Sequence, residues 1–246
     1  MIKYLCDPHV IPTIVPRDVL YMQSYASIVA TFCDTLHIDI ADGMFAPSTT
    51  WPFEDQAQMR GLKDIQGPLV REPRILEAHL MTTRENASTI VPLLAERGVQ
   101  RVIIHIEALT DIDSSRALFV EWKATGLKEV GLGVLLATSL DVIDPYVPEI
   151  DVVHMMSISE IGQQGKPFDE RALHRVEEMH ARYPDMMVAI DGGVSEATVE
   201  SLVRAGANRM VVGAAIAQST DPADTYRRIW ERAMKGCAPI QTELAI

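Results

Sequence analysis

The 246-residue sequence predicts a single-domain α/β fold, a parallel eight-stranded (β/α)8 barrel spanning 1–246, on three observations. Short apolar runs rich in β-branched residues recur eight times, segments with helical spacing separate them, and the length suits eight such units of about 250 residues in all. Strands that alternate with helices build βαβ units and a parallel sheet. An open doubly wound sheet would carry a glycine-rich turn after its first strand, whereas this one runs into "PRDVL".

The first run, "HVIPTIV" (9–15), precedes the helically spaced "RDVLYMQSYASIVATF". "TLHIDIA" (35–41) leads into a long Pro-rich segment, 44–74, which predicts a loop over one end of the barrel before its helix. "ILEAHLM" (75–81) precedes "TTRENASTIVPLLAERG", closed by Gly98 as a C-cap. "RVIIHIEA" (101–108) and "VGLGVLLA" (130–137) come next, and the connection after the second of these is irregular. "DVVHMMSI" (151–158) precedes "DERALHRVEEMHARYP", which sets Leu173, Val176 and Met179 on one face and stops at Pro184. "MMVAID" (186–191) leads to "SEATVESLVRAG", with cap residues from Ser195 to Thr198 and Gly206 at its end. "RMVVGAAI" (209–216) precedes "DPADTYRRIWERAMKG", where Pro222 suits the first helical position.

Composition narrows the function. At 48% hydrophobic and 23% charged, the chain has ordinary globular material for one sizeable core. No run approaches the roughly 18 to 20 apolar residues of a membrane span, and Asp7 and Pro8 interrupt the N-terminal run too early for a secretory signal. Cys6, Cys33 and Cys237 are odd in number and lack metal-ligand spacing, which predicts reduced thiols in a cytoplasmic protein. The net charge of -12 argues against a nucleic-acid surface, which needs clustered Lys and Arg. A small anion is still compatible as a ligand, because backbone amides can hold a phosphate locally under a negative overall field.

The informative residues are ionisable groups inside runs that otherwise read as buried strands. His37 and Asp39 are two apart and share a face of the second strand; His79 lies toward the end of the third, and Asp191 closes the seventh. In a barrel, catalytic groups sit at the carboxyl ends of the strands. Two imidazoles and two carboxylates at one mouth make a candidate site for one divalent metal, with Zn, Fe(II), Mn and Co all suited to mixed nitrogen and oxygen ligands. Taken singly, each has a plainer reading. A His in an apolar strand is more often a hydrogen-bonded core residue, and an Asp before Gly192 and Gly193 also fits a turn cap. Asp42 and Gly43 read as turn residues. His105 and Glu107 in the fourth strand either line the mouth or are satisfied core polars. His154 shares a face with Met156 and is assigned no role, and Met81, Met155 and Met156 read as core.

In combination these motifs resemble the ribulose-phosphate 3-epimerase family. Its His-x-Asp-x-x-Asp-Gly pattern matches "HIDIADG", its His-Leu-Met matches 79–81, and its Asp-Gly-Gly matches 191–193. The similarity runs from "IPTIV" through "IIHIEA" to "AGANRMVVGAAI". The resemblance implies metal ligands at His37, Asp39, His79 and Asp191, with Asp39 and Asp191 as the acid/base pair of an epimerase acting on a sugar phosphate. Inverting a carbon beside a ketone requires a proton removed from one face and returned to the other, through an enediolate. It also implies substrate contacts at Thr13 (in place of a Ser), His79, Met81, Met156, Gly162, Gly192, Gly193, Gly213 and Ala214. A third family methionine is Ala41 here, which predicts a larger pocket. Relatives form dimers or hexamers, so a homo-oligomer is expected.

The phosphate end departs from that pattern. Where the family has Pro-Gly-Phe-Gly-Gly after the sixth strand, this chain has "SISEIGQQGKPF" (157–168), which keeps Gly162 and Gly165 and adds the like charge of Glu160, with Lys166 as its candidate compensator. A family Gly-Ser becomes Gly213-Ala214. The alternatives are therefore an epimerase acting on a different ketose phosphate or an unphosphorylated ketose, and a non-catalytic sugar-phosphate-binding barrel. A lyase or decarboxylase of the related phosphate-binding barrels is disfavoured, because its Asp-x-Lys-x-x-Asp strand finds only D-I-A-D at 39–42.

Overall fold

The computed structural model describes residues 6–162 and 165–237. Eight strands close into a parallel barrel in sequence order: β1 (His9–Ile14), β2 (Thr35–Ala41), β3 (Ile75–Met81), β4 (Arg101–His105), β5 (Glu129–Val134), β6 (Val152–Met156), β7 (Met187–Asp191) and β8 (Arg209–Val212), with β8 pairing back onto β1. Almost every strand residue is buried, which explains why these segments read as continuous apolar runs rather than alternating ones.

The helices cover the outside: α1 (Val19–Val29), α2 (Gln56–Asp64), α3 (Arg84–Glu96), α4 (Ile112–Ala124), α5 (Arg171–Arg182), α6 (Val199–Ala205), α7 (Ala214–Ala217) and α8 (Pro222–Gly236). Side chains of Asp18, Asp55, Thr83, Asp111 and Asp221 accept a backbone N–H three residues on, which fixes the starts of α1, α2, α3, α4 and α8. Each such cap stabilises its helix by about 1 kcal/mol. On α5, Val176 and Met179 are buried and Leu173 half-buried, while His174, Glu177 and Glu178 face outward and Arg175 donates to the Leu135 carbonyl. The irregular fifth connection is a 3-10 segment, Leu140–Tyr146.

Three sequence expectations need correction. The fourth run ends as a strand at His105, because Ile106–Ala108 turns into a 3-10 segment, so Glu107 is not on β4. The fifth and eighth runs stop at Val134 and Val212, where the chain leaves the barrel mouth; apolar residues continue past both points but pack in loop and helix. Cys6 and Cys237 are not separate thiols: they form a disulfide across 231 residues, with Cα atoms 5.5 Å apart, and Cys33 alone is free. Barrel closure makes that pairing, since α8 packs against β1. Among the described residues no helix is long and apolar enough to cross a membrane.

Candidate active site

Register builds the site in layers. His37 pairs with Glu77, Asp39 with His79, and Ala41 with Met81, so alternate residues of β2 and β3 enter the barrel side by side. His154 pairs with Ala189 and Met156 with Asp191 in the same way. At the lowest level Glu77, Arg101, Glu129 and Arg209 form an internal ion network, in which Arg209 grips Glu129 at 2.6 and 3.0 Å and lies 3.6 Å from Glu77. Above it lie His37, His79, His105 and His154, all fully buried, and Asp39 and Asp191 top the cluster, each slightly exposed.

Hydrogen bonding dictates which imidazole nitrogens are available. Glu77 Oε1 lies 2.7 Å from His37 Nδ1, and an ionised carboxylate only accepts, so Nδ1 donates and, once the ring is neutral, Nε2 carries the lone pair. That Nε2 is buried 3.4 Å from Asp39 Oδ1 without a well-formed hydrogen bond. Glu107 accepts from the Leu135 amide, the Thr138 hydroxyl and His105 Nδ1, the last at 3.3 Å. Neutral His105 then accepts through Nε2 from His79 Nε2, 2.8 Å away, which leaves His79 Nδ1 facing Asp39 Oδ1 at 3.0 Å and Asp191 Oδ2 at 3.5 Å. Two separate carboxylate–imidazole arrangements thus aim lone pairs at one point, and the donor set fits a divalent metal.

The charges agree. Burial alone would lower the His37 pKa, but Asp39 and Glu77 outweigh it and raise it to about 10; His79 is also raised against burial by Asp191 and Asp39. Burial would raise the carboxyls, yet His37 and Arg209 hold Glu77 at about 2, and the neighbouring histidines hold Asp39 and Asp191 below the usual carboxylate range. Metal-free, the buried carboxylates are therefore balanced by protons on imidazoles, positive charge that a divalent ion would replace. His105 is pushed down to about 4 by burial, consistent with its neutral relay role.

Above the cluster opens a cavity of about 200 Å³. Asp39, Asp191, Thr13, Met81 and Met156 line its inner end; Gly162, Lys166, Gly192, Gly193, Gly213 and Ala214 line the outer end. Thr13 Oγ1 donates to Asp39 Oδ2 at 2.9 Å, so its hydroxyl orients that carboxylate as well as facing the cavity. Gly193, at φ 65°, lets the loop after β7 touch the loop after β6: a Cβ there would lie 2.4 Å from the Phe168 nitrogen. Gly162, at φ 87°, packs against Ser48 of the loop after β2, where a Cβ would meet its Oγ at 2.6 Å. Glu160 does not stand alone, since Lys166 Nζ lies 2.6 Å from its Oε2. Residues 163 and 164 of that loop lie outside the described residues.

The residues singled out in the sequence as ligands or substrate contacts thus all surround one cavity or the cluster below it. Ala41 is buried with Ala46 and Met81, against Phe45 and Ile161. Sequence reasoning missed Glu77, although its spacing of two from His79 signals an inward side chain. It also missed Ser157, whose hydroxyl donates to the Asp191 and Gly192 carbonyls at 2.9 and 2.6 Å and holds the end of β7; no local pattern marks it. His154 Nε2 lies 3.3 Å from Asp191 Oδ2, inside the cluster rather than apart from it.

Known proteins share both this fold and this sequence pattern. The 3-hexulose-6-phosphate synthase of Salmonella typhimurium superposes with a TM-score of 0.65 at 17% identity, covering 93% of this chain and 99% of that one. KGPDC from Streptococcus mutans gives 0.66 at 13%, over 92% and 97%. At those identities the likeness is one of fold. In sequence, the ribulose-phosphate 3-epimerase of Aquifex aeolicus is 32% identical over 192 residues, 76% of this chain and 79% of that one. That of Mycobacterium leprae is 29% identical over 230 residues, 92% and 95% of the two chains. These relatives are isomerases acting on carbohydrates, and a model of their family matches residues 9–217. The barrel with its buried His/Asp cluster belongs to the ribulose-phosphate 3-epimerase family.

Proposed function

We propose that the protein is a metal-dependent ketose-phosphate 3-epimerase of the ribulose 5-phosphate/xylulose 5-phosphate type, with Asp39 and Asp191 as its acid/base pair. One observation carries the reading: of the buried ionisable cluster, only these two carboxylates face the cavity. They come from β2 and β7, on either side of the β8–β1 pair, so a substrate lying between them meets one carboxylate on each face. One removes the C3 proton, the other returns a proton to the opposite face, and the roles exchange with direction. Thr13 holds Asp39 in place by its hydrogen bond, and Ser157 holds the backbone carrying Asp191. Met81 and Met156 exclude water from the inner end, which strengthens the electrostatics there.

His37, Asp39, His79 and Asp191 would hold one divalent ion (Zn, Fe(II), Mn or Co). When bound, it polarises the substrate carbonyl and stabilises the negative charge that develops on it. For the phosphate, the reading uses the amides at Gly192, Gly193, Gly213 and Ala214, with Gly162 and Lys166 on the facing loop. A homo-oligomer, dimer or hexamer, in a cytoplasmic setting belongs to the same reading.

A specific observation favours a second reading, a different ketose phosphate or a free ketose. Glu160 occupies Lys166 at the cavity's outer end, and Ala214 offers no hydroxyl there. Assaying metal-loaded protein against ribulose 5-phosphate, other ketose phosphates and free ketoses separates the two. Turnover of ribulose 5-phosphate above all others supports the first reading, and preference for another ketose supports the second. Ligand binding without turnover of any sugar would overturn both in favour of a binding protein.

A further inference from the structure

Of the four buried histidines, His105 and His154 lie outside the proposed ligand set, and His105 is already engaged by His79 and Glu107. His154 sits on β6 with its side chain directed into the barrel and is completely shielded from solvent. Its ring lies 4.5 Å from that of His79 and stacks at 5.4 Å on that of His37, with a 15° tilt. Nδ1 is buried without a hydrogen-bond partner among the described residues, and Nε2 lies 3.3 Å from Asp191 Oδ2. Nε2 is therefore the nitrogen turned toward Asp191 and the other ligand-type atoms.

Spacing places that Nε2 among the ligand atoms. Metal–nitrogen and metal–oxygen bonds of about 2.0–2.2 Å place adjacent ligand atoms about 3.0 Å apart in an octahedron and about 3.4 Å apart in a tetrahedron. Around the cluster the separations are 3.0 Å (His79 Nδ1 to Asp39 Oδ1), 3.4 Å (His37 Nε2 to Asp39 Oδ1), 3.5 Å (His79 Nδ1 to Asp191 Oδ2) and 3.3 Å (His154 Nε2 to Asp191 Oδ2). The His154 contact is indistinguishable from the others. Ligand-type atoms of His37, His79, His154 and Asp191 all fall within 4.8 Å of one another, the compactness one ion requires.

We infer that His154 is a third imidazole ligand, so that the ion is held by three nitrogens from below and by Asp39 and Asp191 from the cavity side. This rests on the proposed metal site and extends it. Its consequence is selectivity, since a third imidazole shifts preference toward Zn, Co(II) and Fe(II) and away from Mn.

X-ray absorption of the Zn-loaded full-length protein, which needs no variant, counts the imidazoles directly. Three histidine rings are expected in the unaltered protein and two in His154→Leu, with Zn affinity, measured by chelator competition, lower by at least about tenfold in the variant. A weaker loss of Mn(II) than of Zn(II) affinity completes the expected pattern. Bound Zn with only two rings in the unaltered protein overturns the His154 assignment and leaves the proposed site standing. Failure of the unaltered protein to bind any divalent metal overturns both.

Discussion

The two ends of the cavity are built differently. The inner end is made of strand residues: His37, Asp39, His79, His154 and Asp191 are fixed by hydrogen-bonded register and backed by Glu77, Glu107 and the ion network beneath. The outer end is made of loop residues, held by glycine backbones that pack against neighbouring loops and by a half-exposed Glu160–Lys166 pair. Register tolerates no slip, because a one-residue shift would turn every ligand out of the barrel. Loops change freely at little cost to stability. On the proposed reading, chemistry belongs to the rigid part and substrate choice to the variable part, and perturbations at the two ends should differ in kind.

The largest effects belong to the inner end. Asp39→Asn and Asp191→Asn should each lower kcat by about 10²–10⁴-fold while the thermal unfolding midpoint stays within a few degrees, as steady-state kinetics and calorimetry would show. Equal losses from an outer-end change such as Lys166→Met would erase the distinction.

Glu77→Gln attacks the support rather than the chemistry. It removes the carboxylate held by His37 Nδ1 and the second of two carboxylates beside Arg209, at a cost of up to about 3–5 kcal/mol in urea unfolding, and lowers metal affinity about 10–100-fold. The sign of the pH effect follows from the depressed Glu77 pKa, about 2 when folded against 4.5 ordinarily. Its stabilisation is fully present above about 4.5 and disappears as pH falls toward 2, so the metal-free protein should lose stability across that window, and Glu77→Gln should flatten the loss.

How legible each end is in the sequence follows from the same contrast. β2 and β3 match the predicted runs residue for residue, because both faces of each are buried and the runs end at turn residues. The ligand candidates were readable for the same reason, since a His or Asp in such a run has nowhere to point but the core or the barrel interior. β4 and β8 were overrun because Ile106 and Ile216 continue the apolar pattern after the chain has left the sheet. Glu77 carried the period-two signal and could have been found. Ser157 and the Cys6–Cys237 bridge depend on contacts that exist only after the barrel closes. The Glu160–Lys166 pair was an option in sequence and became a contact only through the loop's path.

Smaller effects refine the comparison. In metal-free protein at neutral pH, His37, with its pKa raised to about 10, carries a proton that the ion must displace. Metal binding should release protons, and affinity should rise about tenfold for each released proton per pH unit up to that range; calorimetry in buffers of different ionisation enthalpy measures both. Thr13→Val removes a hydrogen bond to a charged carboxylate and should cost about tenfold in kcat, with the acid limb of the pH–rate profile moved upward. Lys166→Met should raise KM by only a few-fold for phosphorylated ketoses, leaving kcat and the KM for free ketoses unchanged, because an exposed pair contributes at most about 1 kcal/mol.

The central claim, proton transfer at C3 by two opposed carboxylates, is tested most directly by running the reaction of metal-loaded protein with ribulose 5-phosphate in D2O and reading each carbon by NMR. Xylulose 5-phosphate carrying a single deuterium at C3, absent with Asp39→Asn and Asp191→Asn, is the predicted result. Deuterium at C1, or no exchange into any ketose by protein with its metal bound, would contradict it.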